Sequence, residues 1–160
     1  TVSLFSMKIS RTALAILGSI AVAASLSACS ATVSLEAAID ANNPACAEVS
    51  VRLPDAVADQ QKRATDAQAT GAWGNPSSVI LRCGLPPVEV SSLPCVTASG
   101  VDWLVDDSKK PSYRFITFGR KPATEVIVDS RKVAGVTALS DLSAAIQSID
   151  ATKQCSTVSN

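Results

Sequence analysis

Val101-Asp102-Trp103-Leu104-Val105-Asp106-Asp107-Ser108-Lys109-Lys110-Pro111-Ser112-Tyr113-Arg114-Phe115-Ile116-Thr117-Phe118 carries two runs of alternating character on either side of a charged, proline-marked turn. Alternation at period two is the pattern of a half-buried strand, and so short a connection joins antiparallel neighbours. The stretch therefore reads as strands over 101–105 and 113–118, paired as a hairpin. Val101, Trp103 and Val105 share one face, and Asp102, Leu104 and Asp106 share the other.

Working outward, Val79 to Cys83 and Glu125 to Asp129 repeat the strand pattern, the latter after the short connection Gly119-Arg120-Lys121-Pro122. Arg82 falls on the side of Ser78 and Ile80, and Arg114 and Arg120 fall with Ile116 and Phe118, so both faces are partly apolar. Val49-Ser50-Val51-Arg52-Leu53 also alternates and is expected as a further strand ended by Pro54. Asp55 is then expected to cap a helix to about Ala64, with Asp59, Gln60, Lys62 and Arg63 on its solvated side.

Gln68-Ala69-Thr70-Gly71-Ala72-Trp73-Gly74-Asn75-Pro76 reads as a loop that inserts Trp73 into the core, or over a ligand. After Gly135, a helix capped by Thr137 or Ser140 places Leu139, Leu142, Ala145, Ile146 and Ile149 on one stripe, which needs a sheet to lie on. The expected fold is α+β: an antiparallel sheet of about five strands with two helices packed on one face.

The N-terminal region has a different logic. Lys8 and Arg11 precede an apolar run from Ala13 to Ala24 and then small residues, the three-part layout of a secretory signal whose expected start is Met7. Ala, Ser and Gly dilute the run from Ser19 onward, short of the roughly 20 predominantly apolar residues of a spanning helix. Its end, Leu26-Ser27-Ala28-Cys29, resembles a bacterial lipobox. That resemblance implies cleavage before Cys29 and a lipid anchor on its thiol, acylated with chains such as palmitate. The expected organisation is a signal peptide over 1–28, a lipidated tether over 29–45 that includes the breaker Asn42-Asn43-Pro44, one domain over 46–155, and a tail over 156–160.

Removing Lys8 and Arg11 from the 14 basic residues leaves 12 against 14 acidic ones, a side-chain charge of −2 for the mature chain. That is no electrostatic footprint for nucleic acid. Of five cysteines, setting Cys29 aside leaves Cys46, Cys83, Cys95 and Cys155, which in an exported domain read as two disulfides. The favoured pairing is Cys83 with Cys95 and Cys46 with Cys155. The rival, Cys46 with Cys83 and Cys95 with Cys155, stays open. No C-x-x-C pair suggests a redox or zinc centre.

The chain contains no histidine, so a Ser-His-Asp or Cys-His nucleophile and His-ligated zinc are excluded within it. S-x-x-K, K-T-G, G-x-S-x-G and P-loop motifs are absent too, and no cofactor or metal is called for. Carboxylates remain: Asp102, Asp106 and Asp107 could supply an acid and base, as paired carboxylates do in glycosidases. The alternative to binding is therefore an envelope hydrolase using Asp102 and Asp106. A binding reading uses Arg82, Arg114 and Arg120, whose planar forks suit carboxylates and phosphates, with Trp73 and Phe118 as aromatic neighbours.

The succession Ala67-Gln68-Ala69-Thr70-Gly71-Ala72-Trp73-Gly74, Leu81-Arg82-Cys83-Gly84, Val101-Asp102-Trp103, Tyr113-Arg114-Phe115 and Phe118-Gly119-Arg120 resembles actinobacterial lipoproteins carrying the domain of unknown function 3515. The likeness covers roughly Cys46 to Ile149 and includes the lipobox and the four later cysteines. It implies an address and an architecture, but no activity and no catalytic residues. The expectation is a lipid-anchored binding module on the extracytoplasmic face of the cell membrane. Its partners would be the membrane and an envelope protein or cell-wall component.

Overall fold

In the computed structural model the described residues are 31–156. The expected signal segment and Cys29 lie outside them, and 31–156 belong to one compact unit. The first regular element is a helix. Asn43 accepts a hydrogen bond from the Ala45 N–H at 3.0 Å, and Pro44 occupies the first turn, where its missing N–H costs nothing. The result is α1, Pro44–Val51, with Cys46 and Val49 buried one turn apart. This corrects the expected strand over 49–53, since spacings of three and four between apolar residues fit a helix once a cap precedes it.

The expected helix after Asp55 is instead a hairpin of β1, Ala56–Val57, and β2, Gln60–Arg63. Its two turn residues, Ala58 and Asp59, both hold positive φ (46° and 62°), the conformation of the tight turn that matches strand twist. β3, Thr70–Trp73, lies in the stretch expected as loop. Gly71 is required there: a Cβ at that position would meet the Trp73 side chain at 2.6 Å.

The remaining strands are β4 Val79–Leu85, β5 Cys95–Ala98, β6 Val101–Lys109, β7 Ser112–Thr117 and β8 Ala123–Asp129. Four of these match expected strands; β5 was not foreseen. The sheet has eight strands in the order β1-β2-β3-β4-β8-β7-β6-β5, rather than about five, and all neighbours run antiparallel. Two four-stranded meanders thus meet where β4 pairs with β8.

The closing helix α2, Gly135–Ile146, carries the expected stripe: Leu139, Leu142, Ala145 and Ile146 are buried, followed by Ile149. It starts earlier than expected, at Gly135, and its N-cap Ala134 makes no side-chain hydrogen bond. Both helices join one core with Leu53, Val57, Trp73, Val79, Leu81, Val101, Trp103, Phe115, Val126 and Val128. Those strand positions share one parity, so the helices cover a single face of the sheet, as the alternation in 101–106 predicts. Among the described residues, no helix is long and apolar enough to cross a membrane.

Both ends of the described chain are bonded to the domain. The tether expected over 29–45 is, from Ala31 onward, a strap against the domain. Val33 N–H donates to Ala64 O at 2.8 Å, Leu35 N–H to Asp66 Oδ1 at 2.8 Å, and Asp40 N–H to Gly84 O at 3.0 Å. The C-terminal segment is bonded likewise: Thr152 N–H donates to Gly119 O at 2.7 Å and Cys155 N–H to Asp102 Oδ2 at 2.8 Å.

The favoured disulfide pairing is overturned as well. Cys46 joins Cys83 with Cα atoms 5.6 Å apart, and Cys95 joins Cys155 at 5.7 Å. Cys83 sits on a central strand under α1, whereas β5 is the far edge strand. With β4 and β5 separated by β8, β7 and β6, Cys83 and Cys95 have no common neighbour.

Candidate binding face

The sheet face away from the helices is set by the other parity of the same strands. It presents Ile80 and Arg82 from β4, Glu125 and Ile127 from β8, Arg114 and Ile116 from β7, and Leu104 and Asp106 from β6. At one end, Leu104, Ile116 and Ala123 form a small apolar cluster beneath Leu85, Val88, Leu93 and Phe118. The rest carries charge.

Register builds the centre. Arg82 lies directly opposite Glu125 across the β4–β8 pair, and Arg114 stands one pleat from it across β7–β8. Arg82 donates from Nε to Glu125 Oε1 at 2.7 Å and brings Nη2 to 2.5 Å of the same oxygen. Arg114 donates from Nε to the other oxygen, Oε2. Glu125 is 2% exposed, whereas the side chains of Arg82 and Arg114 are 33% and 38% exposed. One desolvated carboxylate therefore holds two half-wet guanidiniums, and the cluster carries an excess of one positive charge. Arg82 Nη1 and both Nη groups of Arg114 make no hydrogen bond among the described residues.

Two hollows flank this cluster and share Arg82, Glu125 and Ile127. The larger, about 490 Å³, lies between the strap residues Ser34, Leu35 and Glu36 and the sheet residues Thr70, Ile80 and Ile127. The smaller, about 290 Å³, is walled by Arg114, Asp106, Ser108, Lys109 and Ser112. The Ser108 hydroxyl, and then its N–H, hold the Asp106 carboxyl below the usual range, with Arg114 contributing less. Asp106 is thus an anionic rim and not a proton donor.

Of the expected binding residues, Arg82 and Arg114 are brought together and the others are placed elsewhere. Arg120 is 6% exposed beneath the C-terminal segment, where Nη1 donates to Ile149 O and burial lowers its pKa against the opposing effect of Asp102 and Asp150. Trp73 lies in the core on the helix face, its Nε1–H donating to Pro54 O at 3.0 Å, as the core reading predicts. Phe118 packs in the small apolar cluster.

The carboxylates do not assemble. Asp102 accepts from the Thr97 hydroxyl at 2.5 Å and from Cys155 N–H at 2.8 Å, which makes it a fastener for the C-terminal segment. Asp106 stands four residues along the same strand, about 13 Å away in an extended chain, beyond the roughly 5 to 9.5 Å between glycosidase carboxylates. Among the described residues, no three His, Cys, Asp or Glu side chains are grouped to hold a metal ion.

Glu125 was missed by the sequence reading. The available signal was an acidic residue in the apolar alternation of Thr124-Glu125-Val126-Ile127-Val128, which obliges a buried charge to find partners on neighbouring strands.

A family model described as "Protein of unknown function (DUF3515)" matches residues 11–154. No curated protein and no solved structure matches the chain.

Proposed function

We propose a binding function, without catalysis, for this chain, which belongs to the DUF3515 family of proteins of unknown function. The observation that carries it is the Arg82–Glu125–Arg114 cluster in an uncovered groove, with excess positive charge and guanidinium N–H groups directed to no partner. A buried pair that served packing alone would balance its charges; two arginines on one carboxylate leave capacity for an anionic group.

The address is a lipid anchor on Cys29 at the outer face of the cell membrane, supported by the basic, apolar and small-residue succession before it. A two-chain anchor gains about 0.8 kcal/mol per buried methylene and holds the domain there essentially without release. The ligand would be an anionic group of an envelope protein or a wall component.

Crosslinking of the full-length protein in its own membranes, followed by identification of captured species, tests the binding face. An adduct lost in Arg82→Gln/Arg114→Gln/Glu125→Gln, which removes the cluster's charges together, is the expected result. Capture unchanged by those substitutions discards the face, and no capture where a control lipoprotein succeeds discards the module. For the anchor, Cys29→Ser is expected to yield an unlipidated, uncleaved or secreted form; recovery of a normally acylated, anchored chain from that variant refutes it.

A further inference from the structure

We infer that the pocket between the strap and the sheet seats a small amphiphilic ligand, which presents a carboxylate or phosphate oxyanion to Arg82 and lays an apolar body on Ile80 and Ile127. This rests on the binding reading above and names the ligand class. Volume is the first ground: about 490 Å³ falls within the roughly 300 to 1,000 Å³ of small-molecule sites and is far more than a bare ion fills.

Polarity is the second. Ile80 and Ile127 are directly paired across β4 and β8, which makes an aliphatic floor, and Leu35 of the strap adds an aliphatic wall. The charged end carries the Arg82 guanidinium, whose Nη1 makes no hydrogen bond among the described residues, beside its partner Glu125, and the strap adds Glu36 to the lining. An inorganic anion alone would leave the floor against water, and a neutral apolar molecule would leave the open Arg82 N–H group unmatched.

A sugar fits poorly, because the lining offers few open hydrogen-bonding groups and no aromatic platform. The Thr70 hydroxyl is already engaged, 2.9 Å from Thr65 Oγ1 and 2.6 Å from Ala67 O. An oxyanion on an aliphatic body satisfies both ends of the pocket at once.

Equilibrium dialysis of octanoate, octyl phosphate and octyl glucoside against the full processed chain in one neutral detergent tests this, because partition into micelles cancels in the difference between variants. The expected result is that at least one anion is retained roughly tenfold more tightly than the glucoside, the scale of one charge-assisted hydrogen bond. The tighter of octanoate and octyl phosphate then identifies the source as a carboxylate or a phosphate ester. Arg82→Lys, which keeps the charge and loses the fork, should weaken the anion by about the same factor. Ile127→Trp, which leaves Glu125 its partners and fills the pocket, should abolish retention. Equal retention of the glucoside, or anion retention unchanged in Ile127→Trp, overturns the inference. If the membrane crosslink survives in wild type while no octyl probe binds, the binding reading stands and this ligand class falls.

Discussion

Removing the two arginines should damage the fold more than removing the carboxylate they share. Glu125 is the desolvated member at 2% exposure, whereas the Arg82 and Arg114 side chains keep about a third of their surface in water, at 33% and 38%. Arg82→Met/Arg114→Met therefore leaves a buried carboxylate without a counter-charge, a defect worth roughly 3 to 5 kcal/mol. Glu125→Gln leaves two guanidiniums that can take up water, beside an amide that still accepts a hydrogen bond, and should cost about 1 to 2 kcal/mol once solvent screening is allowed for. Urea unfolding with the disulfides intact reads the difference. With a slope of about 2 kcal/mol/M, the double variant's midpoint falls by roughly 2 M and that of Glu125→Gln by less than about 1 M. Adding Glu125→Leu to the double variant should restore most of the loss, since an apolar set of similar volume replaces a buried ion cluster at little cost. A double variant no less stable than Glu125→Gln would refute the assignment of Glu125 as the desolvated centre.

Three further outcomes follow from the packing. Peptide mapping without reduction should recover Cys46 linked to Cys83 and Cys95 linked to Cys155; opening these loops of 37 and 60 residues by Cys→Ser pairs should cost about 3.8 and 4.3 kcal/mol in the chain-entropy model, and a Cys83–Cys95 peptide would contradict the topology. Asp66 accepts the Leu35 N–H and then the Ser34 side chain, which hold its folded pKa below the ordinary aspartate value; the strap contact is complete above that ordinary value and is lost as pH falls through the folded pKa, so NMR titration should show Asp66 and the Leu35 amide moving together with a midpoint below that of an unperturbed aspartate, and a midpoint at or above it refutes the contact. Trp73→Ala should cost about 3 to 5 kcal/mol by chemical denaturation, yet leave anion retention unchanged, because the indole lies on the opposite face from the groove.

Alternation made the strands at 79–83, 101–105, 113–118 and 125–129 legible, and apolar residues recurring along 139–149 did the same for the closing helix. The failures share a cause: short segments whose state is decided by one local device. Asn43 and Pro44 turn an alternating run into a helix, and a left-handed pair at Ala58 and Asp59 turns a helical-looking run into a hairpin without a glycine to announce it. β5 offers only Val96 and Ala98 beyond Cys95, too few apolar residues to show a period, and its existence depends on pairing with β6. Arg82 and Arg114 were identifiable as candidates because each sits mid-strand, but strand order was needed to see that they meet and that Arg120 does not join them. Disulfide connectivity failed for the same reason, since loop-closure entropy ranks pairings but only topology permits them.

The two disulfides have a common placement that bears on the groove. Each fastens a segment lying against the sheet: Cys46–Cys83 holds α1 to β4, and Cys95–Cys155 holds the C-terminal segment to β5. The strap enters α1 directly, and its last contact before the helix, Asp40 N–H to Gly84 O, is adjacent to Cys83. Gly84, with φ of 109°, permits that approach, since a Cβ there would stand 2.6 to 2.7 Å from the Asp40 carbonyl group. At its other end the strap is bonded to Ala64 and Asp66. Ser34, Leu35 and Glu36 therefore span between two fixed points, and the width of the pocket they wall is set before a ligand arrives. Binding energy then goes into contacts and not into ordering the chain. An extended segment of a partner could enter the hollow that the strap walls only by lifting the strap from its attachments, whereas a small anionic amphiphile enters beside it, and at this hollow the fixed strap thus favours the small ligand over a peptide strand.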